Sequence, residues 1–280
     1  MSSSQKLDPC KIIGQEMIDF YRSWSSQLMD FYPFYSDEHA ALRLLTYSLD
    51  RLTARFEYYV RTTVDFDEEV LGRDDMDRSL ELEYGDERVL TLKDSIESVH
   101  EQIYASVTSL WMFVDVTNER ADLFSGSSYP KPRSSKNFKF LKYLKSHNSQ
   151  LNLEANFLDD LDEVMKSSVF RSSFIVHYDH ENLRLHYDTL NKDTDFRILY
   201  FSLKENGTPP ERSPYRHVDF MSDDFAPPID CKSWSLSPCV EDAVRAAYSI
   251  SARLVFEVAQ KTFSAFADNS YDDKKRISQN

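Results

Sequence analysis

Glycine is scarce in this chain, at five positions out of 280. So few glycines argue against a turn-rich sandwich or barrel, and against a glycine loop that cradles phosphates. No apolar run approaches the ~18 residues of a membrane-spanning helix, so none is expected. The three cysteines, Cys10, Cys231 and Cys239, are odd in number and widely spaced. They imply neither a disulfide framework nor a zinc knuckle. The start, "MSSSQKLDPCKIIGQEMIDF", lacks a basic segment followed by an apolar one, and a cytoplasmic, reduced protein is expected. No Gly-x-Ser-x-Gly elbow occurs, so serine hydrolase chemistry has no support. Positive charge is also short. The net charge of −14 disfavours a surface that grips polyanions everywhere, while leaving room for a local basic patch.

Aromatics and helix formers are plentiful: 19 Phe and 16 Tyr. After a Ser- and aromatic-rich segment, 1–36, with a short helix expected from Ile12 to Met29, apolar residues recur at helical spacing. Leu42, Leu45, Leu49, Leu52, Phe56, Tyr59 and Val60 predict a helix following Asp37. The acidic stretch 65–88 reads as a solvated loop. Leu92, Ile96, Val99, Ile103, Val107, Leu110, Met112 and Val114 predict a second helix over Thr91–Phe124. A third is expected from Asn137 to Ser146 and a fourth from near Leu153 through His177. "NLRLHYDTL" and "FRILYFSLK" look like a hairpin, followed by a Pro-rich connection, 208–238. A last amphipathic helix is expected over Val240–Ala267, then a polar tail, 269–280. The expected fold is mainly α: one helical bundle over 37–268, with the hairpin and the Pro-rich segment, 181–239, inserted before the last helix.

The stretch "VFRSSFIVHYDH", Val169–His180, carries the candidate chemistry. On a wheel at ~100° per residue, Leu158, Leu161, Met165, Val169, Ser172 and Val176 form a stripe about Met165. Arg171 and His177 fall at roughly −120° and +120° from it, with Phe170 and Phe174 between them on the outer face. Exposed phenylalanines flanked by a cation and an imidazole imply that something covers that face. A second copy across a two-fold axis would bring two Arg–His pairs into one cleft.

An Arg followed within four to six residues by a His, late in a helical bundle, resembles the motif of the HEPN superfamily, and the likeness covers about 37–180 plus the last helix. Many members are metal-independent ribonucleases of toxin–antitoxin, abortive-infection and antiviral systems, with the site formed across a homodimer. The resemblance implies a HEPN-like bundle and an endoribonuclease without metal or other cofactor. It would have RNA as substrate, and an antitoxin or defence protein as a further partner. By position, Arg171 would hold the scissile phosphate and His177 would act as general acid or base, with Ser172 supporting. The family more often has Asn or Asp where Ser172 stands. The chemistry is coherent on its own terms: a planar, permanently charged guanidinium suits two phosphate oxygens. An imidazole titrates near neutrality and contributes ~10²–10⁴-fold in proton transfer. The alternative is an inactive HEPN-like interaction module, in which Arg171 pairs with an acid such as Glu163 or Asp179.

In "YPKPRSSKNFKFLKYLKSHN", Tyr129–Asn148, charge reverses locally: Lys131, Arg133, Lys136, Lys139, Lys142 and Lys145 occur with no acidic residue. Lys136, Lys139, Lys142 and Lys145, interleaved with Phe138, Phe140 and Tyr143, could track an RNA backbone and stack bases. Otherwise the lysines form a solvated face over a core of Phe140, Leu141 and Leu144. Two metal readings are weaker. "ESVH", Glu97–His100, has di-iron spacing but no second Glu-x-x-His. His177, Asp179, His180 and His186 cluster without regular ligand spacing.

Overall fold

The computed structural model describes residues 36–66, 87–121, 124, 129–132, 136–148, 155–175, 183–188, 195–203 and 231–277. In the strands and the final part of the last helix, the backbone alone is described. The expected helix Ile12–Met29 and residues 67–86 of the acidic stretch lie outside the described residues; its ends, 65–66 and 87–88, belong to helices rather than to a loop.

The architecture is helical. The helices are α1, Ser36–Phe66; α2, Glu87–Ala121; α3, Asn137–Ser146; α4, Ala155–Phe170; and α5, Val240–Ile277. None contains Gly or Pro, so nothing in their interiors interrupts the backbone ladder. The buried residues recur at three- and four-residue steps: Leu42, Leu45, Leu49, Leu52 and Phe56 on α1; Leu92, Ile96, Val99, Ile103, Val107 and Leu110 on α2. Met112 departs from the expected stripe and is exposed, while its neighbours Trp111 and Phe113 are buried. Trp111 lies face to face with Phe140, at 5.1 Å between centroids. This contact closes α3 over the end of α2. The last turn of α2 ends where Asn118 Oδ1 accepts the Phe124 N–H at 2.7 Å.

Polar residues inside a helical core must find partners. Here the commonest partner is the preceding turn: Thr46, Thr53, Thr63, Ser106, Thr117 and Ser251 each return the hydroxyl to the carbonyl four residues back. A second set joins helices. Gln102 Nε2 donates to the Ser48 carbonyl at 3.0 Å, and Ser106 Oγ to the same oxygen at 3.2 Å. These tie α2 to α1. On α5, the Tyr248 hydroxyl donates to the Leu49 carbonyl at 2.6 Å and meets Thr53 Oγ1. Ser249 donates to Asp160, joining α5 to α4.

The backbone also pairs antiparallel in the order β1 (Leu183–Asp188), β2 (Asp195–Leu203) and β3 (Cys231–Leu236), with Leu185 opposite Ile198 and a register shift at Ser202/Leu203. The third strand falls within the stretch expected to be only a Pro-rich connection. The prolines flank that strand and leave its six residues free to pair. The last helix runs past Ala267 to Ile277, since the polar residues 268–277 include neither Pro nor Gly.

Removing the Tyr248 hydroxyl tests the joint between α5 and α1. Tyr248→Phe is expected to cost about 1–2 kcal/mol in urea denaturation, whereas Tyr58→Phe, on the exposed face of α1, should leave the midpoint unchanged.

Candidate functional site

The site grows from a single polar stripe on α2. Lys93, Glu97, His100, Glu101, Tyr104 and Thr108 recur at three- and four-residue steps, so they share one face of the helix. That face lies opposite the one bonded to α1, since Gln102 is half a turn from His100 and Tyr104. It receives α4.

At the middle of the stripe His100 is wholly buried, with Nδ1 2.8 Å from Ser167 Oγ and its ring edge-on to Phe170 at 5.0 Å. Its Nε2 has no hydrogen-bond partner among the described residues. Burial holds its pKa down at about 3, the backbone of Pro238 opposing in part. His100 is therefore neutral across the physiological range. Glu97 is engaged with Lys93, 3.0 Å away, so the Glu-x-x-His pair on α2 is committed to Lys93 and Ser167. Among the described residues, no group of three His, Cys, Asp or Glu is arranged to hold a metal ion.

One turn further along, Arg171 extends its guanidinium over the Tyr104 ring, 4.4 Å from the centroid, with Nε 3.7 Å from Glu101 Oε1. The side chains are 26% and 50% exposed, respectively. At that separation and exposure the ion pair is weak, and Nε has no hydrogen-bond partner among the described residues. The ring contact, well within the ~6 Å reach of a cation–π interaction, is the one that positions the cation. Tyr104 is itself held from the far side. Asn137, almost wholly buried at the start of α3, donates through Nδ2 to the Tyr104 carbonyl at 2.7 Å and to Thr108 Oγ1 at 2.8 Å.

Arg171 opens a π-helical turn, Arg171–Ile175, in which the chain gains a residue relative to α geometry. Such turns occur often at functional positions. Two expectations are corrected here. Phe170 was placed on an outer face, but it is wholly buried against His100. Arg171 was placed away from the core, but it faces α2. The buried stripe of α4 is Phe157, Leu161, Val164 and Ser168, with Ser167 beside it, whereas Met165 and Val169 are only half-buried. The true face is rotated by about one residue step, ~100°, from the stripe centred on Met165. The cause is Ser167 and Ser168, whose polarity conceals that they are interior. Ser172 is half-buried within the π turn. His177 lies outside the described residues, as do Asp179 and His180. The uniform wheel that located His177 no longer holds past Arg171, because the helical step changes there.

The basic residues of α3 divide into two groups. Lys136, Lys139 and Lys142 are exposed. Lys145 is paired with Asp162 of α4, at 2.5 Å. Of the interleaved aromatics, Phe138 is exposed, while Phe140 and Tyr143 are buried. Tyr143 packs among Phe124, Tyr129 and His147. Those two rings belong to the core and offer no platform to a base. Asn137 at one end of α3 reaches Tyr104, and Lys145 at the other reaches Asp162, nine residues before Arg171. Helix α3 therefore runs antiparallel to α4, and its free lysines approach the level of Arg171.

Tyr104, Glu101, Ser167 and Asn137 escaped the reading of the sequence. The signal that could have found the α2 members was the run of polar residues at helical spacing through an otherwise apolar helix. Compared with protein-family models, with characterised proteins and with solved structures, the chain matches none.

The pH dependence of stability follows from His100. Its pKa is depressed on folding, from 6.5 to about 3, so between those values the unfolded chain takes up a proton that the folded chain does not. Stability should fall as pH drops through that window, by a few kcal/mol in all. His100→Gln should flatten the decline between about pH 6 and 4 in urea melts, at the cost of a lower plateau near neutrality.

Proposed function

We propose that the chain is a HEPN-like, metal-independent endoribonuclease, working as a homodimer in stress response or in toxin–antitoxin or antiviral defence. In this reading Arg171 and His177 are the catalytic residues and Ser172 supports them. The observation that carries it is the placement of Arg171. A permanently charged guanidinium stands over an aromatic ring, at the head of a π turn, with an Nε that no described residue satisfies. Such a group is oriented in advance, and because its Nε is itself buried a phosphate oxygen would be met by its terminal nitrogens.

The reaction needs little else. A base removes the proton of the 2′-hydroxyl, and the alkoxide attacks the adjacent phosphorus. The 5′-oxygen leaves with a proton from an acid, and the product ends are a 2′,3′-cyclic phosphate and a 5′-hydroxyl. Arg171 would neutralise charge on the non-bridging oxygens. His177 would carry the proton, with its counterpart in a second subunit as the other member of the acid–base pair. His100 is unsuited to that role, being buried and neutral. Lys136, Lys139 and Lys142 would guide the RNA backbone, while Lys145 serves chiefly to tie α3 to α4.

One observation favours a second reading, an inactive HEPN-like interaction module. The Glu101 carboxylate, 3.7 Å from Arg171, opposes an incoming phosphate, and Ser172 offers a shorter polar arm than Asn.

The two readings separate in an RNA cleavage assay with EDTA present, at dimer content matched by light scattering. His177→Ala is expected to lose about 10²–10⁴-fold, with wild type leaving cyclic phosphate ends. Arg171→Lys should be nearly as impaired, since an ammonium cannot reproduce the fork. Glu101→Gln should cleave at least as well as wild type. No cleavage by wild type on several RNAs would establish the interaction module.

A further inference from the structure

The solvent face of α1 is unlike the rest of the described surface. Between residues 43 and 61 its exposed positions carry Arg43, Arg51, Arg55 and Arg61, with Asp50 as the one exposed acid. At 100° per residue the four arginines fall within an arc of about 120°, and they span about 27 Å of helix axis. Tyr47 and Tyr58 lie inside the same arc, 59% and 40% exposed, and the Arg51 guanidinium stands over the Tyr47 ring at 5.9 Å.

Lys136, Lys139 and Lys142 of α3 apart, several exposed cations elsewhere are paired with neighbouring acids: Lys131 with Asp115, Lys145 with Asp162, Lys166 with Glu163, and Arg245 with Asp242. The four arginines of α1 make no ion pair with any described residue, in a chain whose net charge is −14. Leu44 is the only large aliphatic side chain exposed among them, too little apolar area for a hydrophobic protein interface. Unpaired guanidinium groups interleaved with exposed phenol rings match the chemistry of a single strand of nucleic acid, with a charged backbone and bases that stack.

We infer that the Arg43–Arg61 face of α1 binds single-stranded RNA at a surface separate from the Arg171 site. The two lie on opposite sides of α2, because α1 is held at Gln102 and Ser106 and α4 at His100 and Tyr104. Binding at α1 therefore stands or falls independently of cleavage at Arg171.

The test is fluorescence anisotropy of a labelled oligouridine with the full chain, between about 50 and 200 mM salt. Replacing Arg43, Arg51, Arg55 and Arg61 together by Ala leaves the core untouched. It should weaken binding at least tenfold, and should reduce the slope of log K against log salt by about 3, at ~0.7 per neutralised phosphate. Tyr47→Ala with Tyr58→Ala should weaken binding about tenfold while keeping the slope, and duplex RNA of equal charge should bind less well. Arg245→Ala, an exposed cation of α5 outside both sites, should stay within about twofold of wild type. The inference is overturned if wild type does not bind, if the four-arginine variant matches wild type in affinity and slope, or if Arg245→Ala weakens binding as much as the four-arginine variant. It is equally overturned if the four-arginine variant changes the mass by light scattering with RNA affinity intact, which would assign the face to a second copy of the chain.

Discussion

The contact on which the rest depends is made at Tyr104. Helix α2 packs against each of the other four described helices, and near its centre this one residue is gripped from two directions. Its carbonyl accepts from Asn137 at the head of α3, and its ring supports the Arg171 guanidinium at the end of α4. The long-range order of the bundle and the orientation of its most distinctive cation thus pass through the same residue, the first through its backbone and the second through its ring.

The choice of an aromatic ring as the seat for that cation has an energetic logic. A carboxylate in hydrogen-bonding contact would satisfy the guanidinium but would also neutralise it, and burying such a pair costs desolvation on both sides. A ring stabilises the charge through its quadrupole while leaving the N–H groups unused. Glu101 stands off at 3.7 Å, on the wetter side, where water screens it. The neutral His100 beneath completes the arrangement, since a second positive charge next to Arg171 would be repelled. Its burial among Ser167, Phe170 and the α2 backbone enforces that neutrality.

Much of the bundle was legible in the sequence because apolar residues at three- and four-residue steps leave few alternatives. Leu42 through Tyr59, Leu92 through Val114, and the bounds of α3 follow from spacing alone. What misled was polarity at buried positions. Ser167 and Ser168 shift the buried face of α4 away from Met165, and the serine hydroxyls are small enough to be satisfied within the interior. Phe170 looked exposed only because the face was assigned wrongly. Asn137 looked like an ordinary helix start, yet its amide reaches across to α2. No local pattern announces such a bond, because its partner is a backbone carbonyl 33 residues away. The arginines of α1 were visible throughout, but they gain meaning only once burial shows that they share one unpaired face.

The π turn has a bearing on how the chain can vary. A turn with one residue more than the α pattern is, in effect, an insertion that the helix has absorbed without breaking. One residue of an α-helix corresponds to about 100° of rotation and about 1.5 Å of rise. The spacing between Arg171 and whatever follows is therefore a matter of phase as much as of distance. A single-residue deletion within Arg171–Ile175 could preserve every helix of the bundle and still turn the downstream chain toward a different side of it.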